Sequence, residues 1–231
     1  MRDSEKGSQV ASQYLNVRLV YGTLDSDDLL EDEAKKADVV LSMWPPHMRK
    51  VSRADELWPL DCANADHEGA VKAIFRGLSS HSAAQSGYII HTSGTGILCW
   101  ADLERETFGE AATKIYDDWD GVQELTSLPD MAPHRNVEKV VLTAGTENID
   151  VLRTAIVCPP CIYGKGRGPG NQRSMQMPDL AKCILQGKKG FQVGSGKSSC
   201  ESALFYDTKH SMESRRSPFN GCSSLQVPYH H

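Results

Sequence analysis

Short apolar runs alternate with helical patterns along most of this chain, and that alternation restricts the fold more than any other feature. Val17-Arg18-Leu19-Val20-Tyr21 reads as a strand closed by Gly22. An acidic helix follows from Ser26 to Lys36, with Asp27 and Asp28 in its first turn and Lys35-Lys36 in its last, as the helix dipole favours. Asp38-Val39-Val40-Leu41 is a short strand. A helix from Asp66 to about Leu78 puts Val71, Ile74, Phe75 and Leu78 on one stripe. Tyr88-Ile89-Ile90-His91 is a strand that stops at Thr92-Ser93-Gly94-Thr95-Gly96. A helix from near Arg135 to Ala144 turns Val137, Val140, Val141 and Ala144 inward, and Val151 to Val157 is a strand ended by Pro159-Pro160. Such a rhythm means βαβ units and a mostly parallel sheet buried on both faces. Ligands in these sheets bind at the C-terminal strand ends. The segments of interest are therefore Gly22-Thr23-Leu24-Asp25, Thr92-Ser93-Gly94 and Pro159 to Gly164.

Length and charge narrow the function. A chain of 231 residues holds one domain, or one and a fraction. A net charge of −5 gives no basic footprint for nucleic acid. No apolar run approaches the roughly 20 residues of a membrane span, and the N-terminus has no apolar core for a signal peptide. Seven irregularly spaced cysteines argue against a disulfide framework, which makes a reducing, cytoplasmic setting the expectation.

Two stretches break the rhythm. Ser42 to Asp61 holds three prolines, two tryptophans and no clean period. It is either a surface loop or a translated intron: Ser42-Met43-Trp44, Arg53-Ala54-Asp55 and Leu60-Asp61 can be encoded with donor-like, branch-point-like and acceptor-like sequences. Ser198 to His231 is rich in Ser, Arg and His with little apolar periodicity, and is expected to be irregular or disordered.

The motifs that would carry chemistry are mostly incomplete. A dinucleotide fingerprint, G-x-G-x-x-G after a first strand, is absent. Gly164 to Gly170 is glycine-rich but wrongly spaced, with Pro169 where a glycine is needed. Gly194-Ser195-Gly196-Lys197-Ser198 resembles the end of a phosphate loop, but the leading position holds Phe191. Cys158-Pro159-Pro160-Cys161 is a lone C-x-x-C, which reads as a strand end with two small buried thiols rather than a zinc site. His67 and Glu68 open a helix, a solvated start rather than a metal site. Asp117-Asp118-Trp119-Asp120-Gly121 is a turn or a pocket wall.

Taken in order, Tyr88 to Gly96, Tyr116 to Gly121, His134 to Lys139 and Pro159 to Gln172 resemble the extended short-chain dehydrogenase/reductases. More narrowly they resemble the NAD-dependent epimerase/dehydratase and NmrA-like proteins common in fungi. The resemblance covers roughly Met1 to Leu41 and Cys62 to Lys197. It implies a Rossmann-like domain that binds NAD or NADP, followed by a smaller substrate region. It implies that Arg2 lies near the adenosine ribose or its 2′-phosphate, and that Leu24 and Asp25 flank adenine. Cys62-Ala63-Asn64 would lie under the pyrophosphate. Thr92-Ser93 would carry the catalytic hydroxyl, with Ser93 orienting a carbonyl. Lys139 would hold the nicotinamide ribose, and Pro159 and Ile162 would wall the nicotinamide.

Three departures from the family qualify this. Its first strand and glycine turn have no counterpart, so cofactor binding is expected to be weak. The tyrosine of its Y-x-x-x-K pair, four residues before Lys139, is Arg135, which cannot deliver a proton near neutral pH. Neighbouring His134 is of a residue type suited to proton transfer and is a candidate for that role, although one residue of shift turns it about 100° around the helix. The family's C-terminal elements give way to unrelated sequence after Lys197.

The expected architecture is therefore α/β, a Rossmann-like doubly wound parallel sheet missing its first strand and glycine-rich turn, with an incomplete substrate region. Residues 1–197 form the domain, interrupted at 42–61, and 198–231 form the tail. The expected activity is an NAD(P)-dependent oxidoreductase or epimerase/dehydratase acting on a small carbonyl or sugar-like molecule. The alternatives are a non-catalytic cofactor-sensing or interaction protein, or a defective gene product.

Overall fold

The computed structural model describes residues 4–42, 66–166, 168–169, 172–174 and 176–198, together with the backbone of 202–204. Arg2, Ala63, Asn64, all of the suspected insertion except Ser42, and most of the tail lie outside the described residues.

In chain order come α1 (Ser4–Gln13), α2 (Asp27–Ala34), β1 (Val39–Ser42), α3 (Glu68–Leu78) and β2 (Gly87–Thr92). A 3-10 turn (Thr95–Cys99) leads into α4 (Trp100–Arg105), then α5 (Val122–Thr126), α6 (Arg135–Glu147) and β3 (Leu152–Val157). β4 (Cys161–Tyr163), α7 (Gln176–Gly187) and β5 (Ser202–Leu204) complete the set.

The sheet is parallel in the order β1-β2-β3, with Val40 beside Ile89 and Ile89 beside Thr154. β5, inside the stretch expected to be irregular, pairs in parallel with β4. The βαβ rhythm is thus realised as an α/β protein with a small parallel sheet.

The helices form where the sequence supplies both a stripe and a cap. His67 caps α3 by accepting the Ala70 N–H at 3.0 Å on Nδ1, so Nε2 carries the hydrogen and donates to Asp25 at 3.0 Å. This makes His67 a cap, in keeping with the helix-start reading. Val71, Ile74, Phe75 and Leu78 are all buried on the stripe that the spacing predicts. Each is worth about 1.5–3 kcal/mol of apolar burial. α2 packs on α3, tied by Arg76 to Glu31 at 2.8 Å. The two helices approach closely at Gly77, where a Cβ would stand 2.4 Å from the Glu31 carbonyl.

Val17 to Tyr21 corrects an expectation: it is not a strand. Its apolar side chains favour extended backbone, but strands are stabilised in pairs, and none of the described strands lies beside it. Its Arg18 pairs instead with Glu33 of α2.

The core joins α3, α6 and the sheet face carrying Ile89, Leu152 and Ile156. On the opposite face Val39, Leu41, Tyr88 and Ile90 are 51, 61, 42 and 38% exposed. Among the described residues, then, the packed core lies on one face of the sheet rather than both. No helix among them is long and apolar enough to cross a membrane.

Candidate functional site

The polar side chains of interest gather where β2 and β3 end. Ser93 follows the last residue of β2, and its N–H donates to the Val157 carbonyl at 2.8 Å, carrying the parallel pairing one step past the strand. Its hydroxyl is buried and donates to Glu138 Oε1 at 2.5 Å. Glu138, on the first turns of α6, is itself buried. Burial pushes its carboxyl above the usual carboxylate range, opposed by the Ser93 hydrogen bond, the charges of Arg135 and His134, and the Cys158 thiol. Cys158 Sγ lies 3.8 Å from the same carboxylate oxygen.

His134 stands at the start of α6 in the left-handed region, φ 65°, a conformation unusual for a side chain of its size. Its Nδ1 is 2.8 Å from Asp66 Oδ1. A carboxylate only accepts, so Nδ1 carries the hydrogen and neutral His134 keeps a lone pair on Nε2. Nε2 makes no hydrogen bond to the described residues and rests against the glycine turn after Ser93. A Cβ on Gly94 would stand 3.2 Å from it.

Beneath this pair is His91, fully buried, with Nδ1 3.4 Å from Ser42 Oγ. Its pKa is pushed down to about 4, first by burial and then by the charge of His134, with Asp66 opposing.

The remaining expected residues divide. Thr92 ends β2, and Thr95 Oγ1 donates to the Pro159 carbonyl at 3.4 Å, so Thr92, Ser93, Pro159 and His134 gather at the strand ends. Ile162 follows on β4, half exposed. Leu24 packs on the core, and Asp25 is held by His67 at the start of α3.

Lys139 is not brought to Ser93. It lies on the solvent side of α6, paired with Asp130 at 2.8 and 2.9 Å. There it lines a groove of about 570 Å³ with Glu68, Lys72 and Asn136. Arg135, in the tyrosine position, is buried and donates to the Thr126 carbonyl at 2.6 Å. Residues four apart share a helix face. The pair that α6 presents to the strand end is therefore His134 and Glu138, one residue earlier than the Arg135–Lys139 register implied by the resemblance.

The other motifs resolve as structure. The backbone N–H groups of Lys197 and Ser198 both donate to the Gly109 carbonyl, so this glycine-rich turn is a clasp and offers no phosphate cradle there. Cys158 is buried as expected, whereas Cys161 is only half-buried, its thiol 2.5 Å from Gln176 Oε1. Asp117 accepts the N–H groups of Trp119 and Asp120, which makes that cluster a turn. No group of metal-ligating side chains is found among the described residues.

Asp66, His91 and Glu138 are the residues that the sequence reading passed over. One signal was available for Glu138. It falls on the same stripe as Val137 and Val141, where a solvated glutamate has no place.

No protein-family profile matches the chain, and no solved structure does. One curated protein is similar, the oxidase ucsJ of an Acremonium species, 33% identical over 207 residues. The match covers 90% of this chain and 54% of that protein, so the chain spans about half the length of this relative.

Proposed function

We propose that this chain carries the reacting end of an NAD(P)-dependent oxidoreductase site, in a Rossmann-like sheet, with His134 as the proton carrier. The observation behind it is the Asp66–His134 pair, 2.8 Å apart, with a free Nε2 lone pair beside Gly94 and Ser93 at the C-terminal ends of parallel strands. The relative named as an oxidase supports oxidoreductase chemistry. The lining suits a nicotinamide: the oxygens of Thr92 and Ser93, apolar surface at Pro159 and Ile162, and an imidazole.

A bound nicotinamide cofactor supplies or takes up the hydride. The chain does the rest. In oxidation, neutral His134 accepts the substrate hydroxyl proton on Nε2, and Asp66 stabilises the imidazolium and fixes its orientation. In reduction the same atom returns the proton. Lys139, held by Asp130 away from Ser93, takes no part in this step.

A non-catalytic, cofactor-sensing role is the second reading. It is favoured by the same displacement of Lys139 and by Arg135 in the tyrosine position.

The test is fluorescence titration of the full chain with NADH and NADPH, followed by turnover with small alcohols and ketones. Weak binding of at least one nucleotide is expected. His134→Gln should lower turnover on the order of 10²–10⁴-fold while leaving that binding intact. Binding without turnover would establish the sensing role. Unchanged turnover in His134→Gln would remove His134 from the chemistry.

A further inference from the structure

We infer that Glu138 is a positioning residue that commits the Ser93 hydroxyl hydrogen inward, so that Ser93 meets a substrate as an acceptor and the site favours a hydroxyl over a carbonyl. The inference deepens the oxidoreductase reading and rests on it for the substrate, but its structural half stands alone.

A serine hydroxyl has one hydrogen and two lone pairs. The hydrogen of Ser93 is directed to Glu138 Oε1 at 2.5 Å, the distance of a charge-assisted O–H···O bond. What remains on Oγ is lone pairs. Neutral His134 likewise offers a lone pair on Nε2, because its hydrogen is on Nδ1 toward Asp66. A carbonyl oxygen, which only accepts, finds no donor in this pair. A hydroxyl donates to either member. This reverses the carbonyl-orienting role that the family resemblance gives Ser93.

Glu138 acts through Ser93 and touches no substrate. The space beside it is about 10 Å³, closed by Ile97, Leu125, Leu128, Leu142, Ile156 and Cys158. That is room for at most one water molecule. The bond's direction also depends on the protonation of Glu138. As a neutral acid Glu138 donates to Oγ, and Ser93 regains a hydrogen for a carbonyl. The groups that bear on this equilibrium are Arg135 and His134 on its own helix and the Cys158 thiol at the end of β3. Among the described residues, the neighbours contributed by α5, the 3-10 turn and β3 are otherwise apolar or hydroxyl-bearing.

The test is infrared difference spectroscopy of the full chain across pH, with circular dichroism as the fold control. The difference between wild type and Glu138→Gln isolates one protonated-carboxyl component from those of the other carboxyls. That component should appear as pH falls, be missing in Glu138→Gln, and move in frequency in Ser93→Ala. Ser93→Cys, a weaker donor, should give an intermediate shift and guards against a misfolded alanine variant. A band unmoved by both Ser93 variants, or one that persists in Glu138→Gln, overturns the inference. The substrate half is read separately, from the ratio of the KM for acetone with NADPH to the KM for 2-propanol with NADP. Glu138→Leu should lower that ratio about tenfold, the value of one hydrogen bond. An unchanged ratio overturns the preference. If no variant and no wild-type chain turns over, the oxidoreductase reading fails while the infrared result still decides the role of Glu138.

Discussion

β2 shows two different surfaces to its two sides. Toward α3 and α6 it sends Ile89 and His91, both essentially without solvent contact. Toward the other side it sends Tyr88 and Ile90, which with Val39 and Leu41 of β1 make an apolar surface open to solvent. A half-covered strand ordinarily turns apolar side chains inward and polar ones outward. Here Ile89 follows that pattern, but the polar His91 is buried beside it and the outward side chains Tyr88 and Ile90 are large and part-exposed. Strands with this composition suit a sheet covered on both faces. His91, a buried histidine with a lowered pKa, lies on the inward face near the strand ends.

The largest expected effect separates the faces directly. Ile89→Ala should destabilise the chain by about 2–5 kcal/mol, because a fully packed side chain leaves a cavity. Ile90→Ala should cost about 1 kcal/mol or less, since much of that side chain is already in water. Urea denaturation of both variants measures the difference. Equal losses would mean that the outer face is also packed in the working protein.

A second effect, about 3 kcal/mol, tests the buried histidine. His91 titrates near 4 when folded, against an ordinary value of 6.5. Between those values the unfolded chain binds the proton and the folded chain does not. The stability contribution is therefore complete above about pH 6.5 and lost as pH falls toward 4. Glu138 works in the opposite sense. Its raised pKa gives stability at low pH that is lost as pH rises through the folded value. The effect of His91 is thus best isolated as the difference between the wild type and His91→Gln, compared at pH 7 and pH 4.5. If both chains lose the same stability over that interval, His91 is not held neutral by burial.

The alternation of strands and helices was legible because it depends on local period. The α3 stripe Val71-Ile74-Phe75-Leu78 and strands β1, β2 and β3 appear within two residues of where the pattern places them. Val17 to Tyr21 pairs with none of the described strands, and pairing is something a local pattern does not report. α7 went unread although Met177, Leu180 and Ile184 recur at helical spacing, and none of its side chains is buried. At the site, Ser93, Thr92 and Pro159 were legible as strand-end residues, a consequence of topology alone. Glu138, Asp66 and His91 were not, because each acquires its role through a partner distant in sequence: Ser93, His134 and Ser42 respectively. The one-residue difference between Arg135–Lys139 and His134–Glu138 is a rotation of about 100° around the helix. Spacing alone is identical for the two pairs, and only the packed position of α6 chooses between them.

The smallest expected effect concerns the open face itself. Leu41 is 61% exposed near the end of β1, which is an edge strand among the described ones. A lysine there keeps its stem along the apolar surface and its ammonium in water, and charged residues on edge strands also discourage pairing with other chains. If the face is free, Leu41→Lys should change stability by about 0.5 kcal/mol or less and should raise the concentration at which the chain remains dispersed, measured by light scattering. If the face is covered in the working protein, the same lysine must bury its charge without a partner, and the loss should rise to several kcal/mol. The direction of this one substitution therefore decides whether the asymmetry of the sheet belongs to the functioning molecule or whether a further element completes its second face.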